Sequence, residues 1–337
     1  MDDSRSRRVS ASALAVALAL ATVYTVWGST YLAIRIALQS IPPFTMAAAR
    51  FLTAGTLLYA WARWRGAPRP RPIEWRTALV VGGLLLLGGN GGVVWAEQHV
   101  DSGLAALLVS TEPLWIVLLV WMTMGHRPRW RVGAGMLLGF AGLVLLLRPA
   151  TGAVSHLAGA AVLLLAAGSW ASGSLYSLRA PQPSSPLLTT AMQMLVGGSL
   201  LLIAALVAGE PARFHPERVT ALSLAAVLYL VFFGSLVGFT SYVWLLRAAP
   251  PVLASTYAYV NPVVAVLLGW AVLHESISRG TLIAAAVILA GVALIASAPG
   301  AAPAARRDEP AEPARGADRL DPALLELEEE SCVSAAR

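Results

Sequence analysis

Four polar side chains lie within long apolar stretches of this sequence: Arg50, Glu112, Gln193 and Asn261. A charge or an amide is costly in an apolar medium unless it is paired or hydrogen-bonded. We therefore expect an ion pair between Arg50 and Glu112, and a neutral hydrogen-bonded counterpart formed by Gln193 and Asn261. Two other arrangements meet the same constraint. Arg50 can donate to backbone carbonyls, and Glu112 can face a water-filled cavity, where it would bind a cationic substrate or carry a proton.

A proline follows two of these polar residues. Pro113 comes directly after Glu112, and Pro262 directly after Asn261. A proline inside a helix removes one backbone hydrogen bond and leaves the carbonyl four residues earlier unpaired. The pattern predicts a kink with a polar notch beside a bound substrate in each case. A kink that serves helix packing alone is the alternative.

Aromatic residues and one glycine-rich segment supply further candidates for a binding site. Trp27, Trp170, Tyr257 and Tyr259 lie inside apolar stretches rather than at their ends. Their rings would suit amphipathic or cationic ligands, although packing or lipid contact explains any single one equally well. Asn90 is the polar centre of the segment GGNGG, whose glycines let helices approach closely. We expect Asn90 to line the wall of a cavity.

The composition places these residues in a membrane. Of the 337 residues, 57% are hydrophobic and only 12% are charged, whereas ordinary soluble domains carry about 25% charged residues. The apolar residues form blocks of the length that a helix needs to cross a bilayer, about 20 residues. We therefore predict an all-α polytopic membrane protein with ten transmembrane helices. The predicted spans are 13–34, 44–63, 77–96, 103–124, 131–148, 157–178, 187–208, 219–246, 252–273 and 280–297.

The placement of arginine predicts the orientation of the chain. If the N-terminus is cytoplasmic, fifteen arginines belong to inside connections and five to outside ones, and basic residues concentrate on the cytoplasmic side. Both termini are therefore predicted to be cytoplasmic, with 1–12 as a short N-terminal segment and 299–337 as a disordered tail. Glu97 and Glu275 fall at the outer ends of their helices, and we expect both to contact solvent.

The sequence contains an internal repeat. Trp27 aligns with Trp170 and Pro113 with Pro262 when the second half is laid on the first. Each copy holds five predicted helices, and because five is odd the second copy enters the membrane from the opposite side. Inverted repeats of this kind are typical of secondary transporters, whose substrate site lies at the repeat interface near the membrane midplane. The two copies span residues 13–148 and 157–297.

Three segments resemble a known family. They are WGSTYLAIRIALQSIPPFTMAAARFL at 27–52, GSWASGSLYSLR at 168–179 and STYAYVNPVVAVLLGWAVLHES at 255–276. Together with the doubled five-helix pattern, they resemble the drug/metabolite transporter superfamily, in particular its ten-helix EamA-type members and the YedA-like exporters among them. The resemblance implies export of small metabolites, amino acids or amphipathic compounds across a bacterial inner membrane. It also implies an acidic residue at the position of Glu275.

These observations predict a secondary transporter that works by alternating access. A channel-like facilitator and an intramembrane enzyme are the alternatives, although no HExxH, GxSxG or phosphate-loop motif occurs. We expect no cofactor and no metal, a small-molecule substrate, contact with the lipid bilayer and no nucleic-acid partner despite the net charge of +6. Gly135 and Gly139 have GxxxG spacing, which favours close helix packing. The protein is predicted to be a monomer or a homodimer.

Overall fold

The computed structural model describes residues 13–125, 130–146, 154–177, 179–248 and 257–297. All regular structure in these ranges is helical, which confirms the predicted all-α class. Two segments, π1 (Gly83–Gly91) and π2 (Leu230–Val237), have π-helical hydrogen bonding and lie inside longer helices. The α-helices are α1 Ala13–Ala37, α2 Pro43–Trp64, α3 Pro72–Gly82, α4 Gly92–Ala96, α5 Ser102–Val109, α6 Glu112–Met124, α7 Trp130–Leu146, α8 Val154–Ser177, α9 Pro186–Val207, α10 Glu210–Arg213, α11 Ala221–Tyr229, α12 Gly238–Ala248, α13 Tyr257–Leu273 and α14 Arg279–Ala296.

Much of the helical surface is suited to lipid. Large apolar side chains such as Leu137, Ile203 and Leu206 are exposed on the outside of the bundle. The predicted spans each coincide with a helix or a series of helices in the described residues, while their total number in the membrane stays a prediction. Six stretches are long and apolar enough to cross a bilayer: Leu14–Ala37, Pro72–Ala96, Ser102–Thr123, Leu157–Ser177, Pro186–Val207 and Ala221–Tyr242. Two shorter apolar helices, Val260–Leu273 and Arg279–Gly291, accompany them.

The helices of the two halves pack in matching pairs. Helix α2 packs along α9, and α7 packs along α14, so that each helix contacts its own repeat equivalent. The contact of α1 with α13 has its counterpart in the contact of α8 with α5 and α6. Likewise, α1 contacts α11, π2 and α12, while α8 contacts α3, π1 and α4. Every one of these pairings joins the first half to the second, and exchanging the two halves reproduces the set.

Glycines make the contact between α7 and α14 especially close. A Cβ atom added to Gly291 would lie 2.6 Å from the backbone oxygen of Gly135 and 2.6 Å from the backbone nitrogen of Gly139. Its repeat equivalent, Gly142, is equally tight, with the backbone nitrogen of Ile288 at 2.8 Å. The GxxxG spacing thus serves close packing between two helices of one chain, as expected from the sequence.

Replacing Gly291 by alanine should therefore destabilise the fold. The added methyl group meets backbone atoms, which cannot rotate away, and overpacking of this kind costs about 1–3 kcal/mol. We expect a lower thermal unfolding midpoint for the purified protein in detergent. Gly133→Ala on α7, the partner helix of this contact, is the matched control, because nothing lies within 4 Å of a Cβ atom added there. Equal midpoints for the two variants would contradict the assigned contact.

Candidate functional site

The fourth apolar block is broken at its polar residue. Helix α5 ends at Val109, and α6 begins at Glu112. The hydroxyl groups of the two intervening residues turn back on the preceding helix, Ser110 donating to the carbonyl of Leu107 at 2.7 Å and Thr111 to that of Leu108 at 2.6 Å. The Glu112 carboxylate is thereby fixed at the start of a helix, where a negative charge is favoured.

The two prolines have different local structures. Pro113 lies in the first turn of α6, where its missing N–H costs nothing. Pro262 lies inside the continuous helix α13. In the first half the helical hydrogen bonding is interrupted at Ser110 and Thr111, before the proline, although both residues keep right-handed helical dihedral angles. A kink at each proline stays a prediction.

Three tyrosines lie within electrostatic range of Glu112. Its carboxyl group interacts electrostatically with the hydroxyl groups of Tyr31 on α1, Tyr242 on α12 and Tyr257 on α13. Tyr242 and Tyr257 are also hydrogen-bonded to each other through their side chains. All four residues are only partly buried. The group joins residues of both halves at the interface between them.

An aromatic cluster continues this group. The Trp27 ring lies 5.3 Å from Phe239, 5.1 Å from Tyr242 and 5.1 Å from Tyr257, measured between ring centroids. Its indole nitrogen donates to the backbone oxygen of Gly234 in π2 at 3.2 Å. The contacts with Phe239 and Tyr257 are edge-to-face, the arrangement that aromatic pairs prefer. Trp27 therefore holds α1 against α12 and α13 beside Glu112.

Arg50 does not pair with Glu112. Its Nε atom donates to the hydroxyl of Ser235 in π2 at 3.0 Å, and its side chain is 5% exposed. Gly234 leaves room for the guanidinium group, since a Cβ atom there would lie 3.2 Å from Nη2. The ion pair predicted from the sequence was wrong. The physical reason is the packing of α2 against π2, which provides a hydroxyl partner much closer than the start of α6.

Asn261 connects two helices. With its amide nitrogen as the donor, it bonds to the backbone oxygens of Tyr257 at 3.2 Å and of Tyr24 on α1 at 3.3 Å. Gly28 allows this approach, because a Cβ atom there would lie 2.6 Å from Val264. Asn261 thus satisfies its amide through α1 and its own helix. The predicted bond to Gln193 is wrong, because no hydrogen bond joins the two amides although both residues are described.

The remaining predicted residues lie elsewhere in the bundle. Gln193 is half-buried where α9 packs on α3, its backbone oxygen 2.8 Å from the position of a Cβ atom on Gly82. Trp170 packs on π1, where a Cβ atom on Gly89 would lie 2.9 Å from its ring, and Asn90 is half-buried in the same segment.

Trp170 therefore contacts the third span of the opposite half, as Trp27 does. Tyr259 belongs to α13, and its side chain lies outside the described residues. Of the candidates predicted from the sequence, the structure brings Trp27, Glu112 and Tyr257 into one group.

Of the two glutamates that were expected to contact solvent, Glu275 is partly exposed and Glu97 is not, so the expectation is wrong for Glu97. The Glu275 carboxylate accepts from the backbone N–H of Ser102 at 3.0 Å, from the Ser102 hydroxyl at 2.9 Å and from the backbone N–H of Gly103 at 3.3 Å. It therefore caps the N-terminus of α5 from a distant part of the chain. Glu97, which follows the last residue of the span Pro72–Ala96, is 0% exposed.

A cavity of about 680 Å³ opens at this end of the bundle. Arg35 and Glu275 belong to its lining, and the Arg35 guanidinium group also donates to the backbone carbonyl of Glu97. The sequence did not predict the grouping of Arg35, Glu97 and Glu275. The apolar residues around Glu97 do not indicate which of the charged residues at helix ends become buried. The complete lining is Arg35, Leu38, Gln39, Gln98, Asp101, Leu273, His274, Glu275 and Ser276.

A double-mutant cycle should separate the observed pair from the one predicted. We expect Arg50→Gln and Ser235→Ala to couple, by about 0.5–3 kcal/mol in the free energy of unfolding, because the residues share a buried hydrogen bond. Arg50→Gln and Glu112→Gln should add to within about 0.5 kcal/mol. Thermal unfolding in detergent measures both cycles. Strong coupling between Arg50 and Glu112 would show that the direct pair forms after all.

Comparison with known proteins agrees with this architecture. The chain matches the EamA-like transporter family over residues 13–148 and 157–297. It is 40% identical over 278 residues to the uncharacterized inner membrane transporter YedA of Escherichia coli K12, which covers 82% of this chain and 89% of YedA. Protein PecM of Dickeya dadantii is 29% identical over 273 residues, covering 80% of this chain and 88% of PecM.

A solved crystal structure has the same fold. It aligns with a TM-score of 0.57 and 24% sequence identity over 83% of this chain and 95% of that one. The resemblance to drug/metabolite transporters inferred from the sequence is thereby confirmed at the level of the family. With its series of bilayer-length apolar helices, the chain is a multi-pass inner-membrane transporter that belongs to the EamA-like transporter family.

Proposed function

We propose that the protein exports small metabolites, amino acids or amphipathic drugs by alternating access, and that cargo binds beside Glu112. The observation that carries the proposal is the grouping of Glu112 with tyrosines from both halves. Buried carboxylates are costly within a membrane and are kept there for function. A carboxylate among aromatic rings offers a charge for a polar group of the cargo and apolar faces for its hydrocarbon part.

The architecture around this group supports alternating access. The contacts between the halves form a set that is reproduced when the halves are exchanged, and an inverted repeat of this kind supports a second arrangement in which the halves exchange roles. The group contains Trp27 and Tyr31 from the first half and Tyr242 and Tyr257 from the second. A movement of one half relative to the other would therefore change the cargo site itself, which is what coupling of binding to access requires.

Counterflow in proteoliposomes tests the carrier mechanism. Vesicles containing purified protein are loaded with one unlabelled compound and then given a trace of the labelled form outside. We would use phenylalanine, threonine, tetraphenylphosphonium and ethidium. A carrier gives transient accumulation of label that saturates with concentration, for at least one compound. Flux without counterflow, together with large unitary currents in planar bilayers, would instead identify a channel.

Glu112→Gln tests the location of the site. Removing the charge while keeping the shape should lower counterflow of a transported cationic compound about tenfold or more, equivalent to roughly 1.4 kcal/mol of lost interaction. Glu217→Gln is the matched control, because Glu217 is exposed in a connection and pairs only with His215. Equal rates in the two variants would place the cargo elsewhere.

Trp27→Phe tests the aromatic part of the site. Phenylalanine keeps a ring but loses the donor to Gly234 and part of the contact with Tyr242 and Tyr257. We expect a KM for the transported compound that is raised by about threefold to tenfold, corresponding to roughly 0.7–1.4 kcal/mol. Trp270→Phe is the control, since Trp270 is 57% exposed on the surface of α13. An unchanged KM in Trp27→Phe would remove Trp27 from the site.

A further inference from the structure

We propose that Glu97 is a proton-binding site, which exchanges its proton with water in the cavity beside Arg35. The claim that this proton is coupled to transport rests on the proposed function. The claim that Glu97 is protonated rests on the structure alone. The chemistry is the release of H⁺ from a neutral carboxylic acid to water, which leaves a carboxylate, and the reverse step restores the acid.

The first argument is the condition of the carboxyl group. Glu97 is 0% exposed, and neither of its side-chain oxygens has a hydrogen-bond partner. No other side-chain nitrogen or oxygen among the described residues is buried in this way. Buried polar groups are normally satisfied, and each exception requires an explanation. An ionised carboxylate without donors would be far too costly here, so the group must hold a proton.

The charged neighbours of Glu97 do not stabilise its ionised carboxylate in place of the proton. Burial raises the pKa of the Glu97 carboxyl group well above its ordinary value, the negative charge of Glu275 raises it further, and only Arg35 lowers it. Arg35 of α1 donates to the backbone carbonyl of Glu97 rather than to its carboxyl oxygens. Glu275 is held by Ser102 and cannot supply a donor.

The other elements around Glu97 have few titratable groups. Tyr31 of α1 is within electrostatic range, and Asp101 and His274 line the neighbouring cavity. His99, in the same connection, packs against Trp95 with the two rings tilted. From α8, the packing residue is Gly159, which lies against Val100. Arg35 is therefore the one cation among these described neighbours that can stabilise an ionised Glu97 at neutral pH.

The second argument is the route. Arg35 contacts Glu97 on one side and lines the cavity on the other, so a change in its position would open Glu97 to water and bring a positive charge to its carboxylate. On the inner side, Tyr31 interacts electrostatically with both Glu97 and Glu112.

Infrared spectroscopy tests protonation without any substrate. Purified protein in lipid is titrated from about pH 5 to about pH 9 while the carbonyl stretch of protonated carboxylic acids is followed. We expect a component that persists at neutral pH, is lost in Glu97→Gln and is kept in Glu217→Gln and Glu112→Gln. Identical acid bands in the native protein and in Glu97→Gln at neutral pH would show that Glu97 is ionised and would overturn the proposal.

Thermal unfolding provides an independent measurement. Because the pKa of Glu97 is raised in the folded state, the folded protein keeps a proton that the unfolded chain releases above about pH 4.3. Stability from this group is therefore present below that pH and is lost as pH rises toward the folded pKa. We expect the thermal midpoint to fall more from pH 5 to pH 7.5 in the native protein than in Glu97→Gln, by roughly 5–14 °C. Parallel pH profiles would overturn the proposal.

Transport driven by a pH gradient tests the coupling. Proteoliposomes are given a pH difference of about one unit and external tetraphenylphosphonium, or whichever compound of the panel shows counterflow, and accumulation is compared with counterflow. We expect the ratio of accumulation to counterflow to fall by up to about tenfold in Glu97→Gln, the limit that a gradient of one pH unit sets for one proton, and to be unchanged in Glu217→Gln. An unchanged ratio in Glu97→Gln rejects coupling through Glu97. Absence of counterflow in the native protein rejects the proposed function instead, and leaves the infrared result to decide protonation.

Discussion

Polar groups in a lipid-facing bundle must be satisfied by the protein itself, and this requirement explains most of the unusual residues in the chain. Arg50 meets it with Ser235, Asn261 with two backbone carbonyls, and Glu275 with the N-terminus of α5. Each of these contacts joins segments that are more than a hundred residues apart or ties two helices together. These hydrogen bonds thus determine which helices contact each other in a bundle whose helix surfaces are otherwise mostly apolar.

The two halves have the same plan but different chemistry at the same positions. Glu112 and Asn261 are repeat equivalents, yet one begins a new helix and interacts with tyrosines, while the other lies in a continuous helix and fastens it to α1. At this pair of equivalent positions, only the first half carries an ionisable group. Such an asymmetry suits a carrier that recognises a single polar group of its cargo, because two carboxylates facing each other would raise the cost of burial.

The sequence predicts the fold far better than the site. Apolar blocks of bilayer length locate every described helix series, and the repeat predicts which helices are equivalent, because both depend on local composition. The partners of Arg50 and the burial of Glu97 could not be predicted. Both depend on which face of each helix packs against its neighbour. The π-helical segments change that face, and the residue types do not predict where these segments occur. Glu275 likewise finds its partners at Ser102 and Gly103, far away in the chain.

The π-helical segments have one more consequence. A π-helix needs more residues per turn than an α-helix, so every side chain that follows π1 is rotated relative to an uninterrupted helix. Glu97 comes six residues after the end of π1, so the direction of its side chain depends on the wider turns of that segment. If π1 tightened to α-helical winding, the side chain of Glu97 would rotate away from its present direction into the interior.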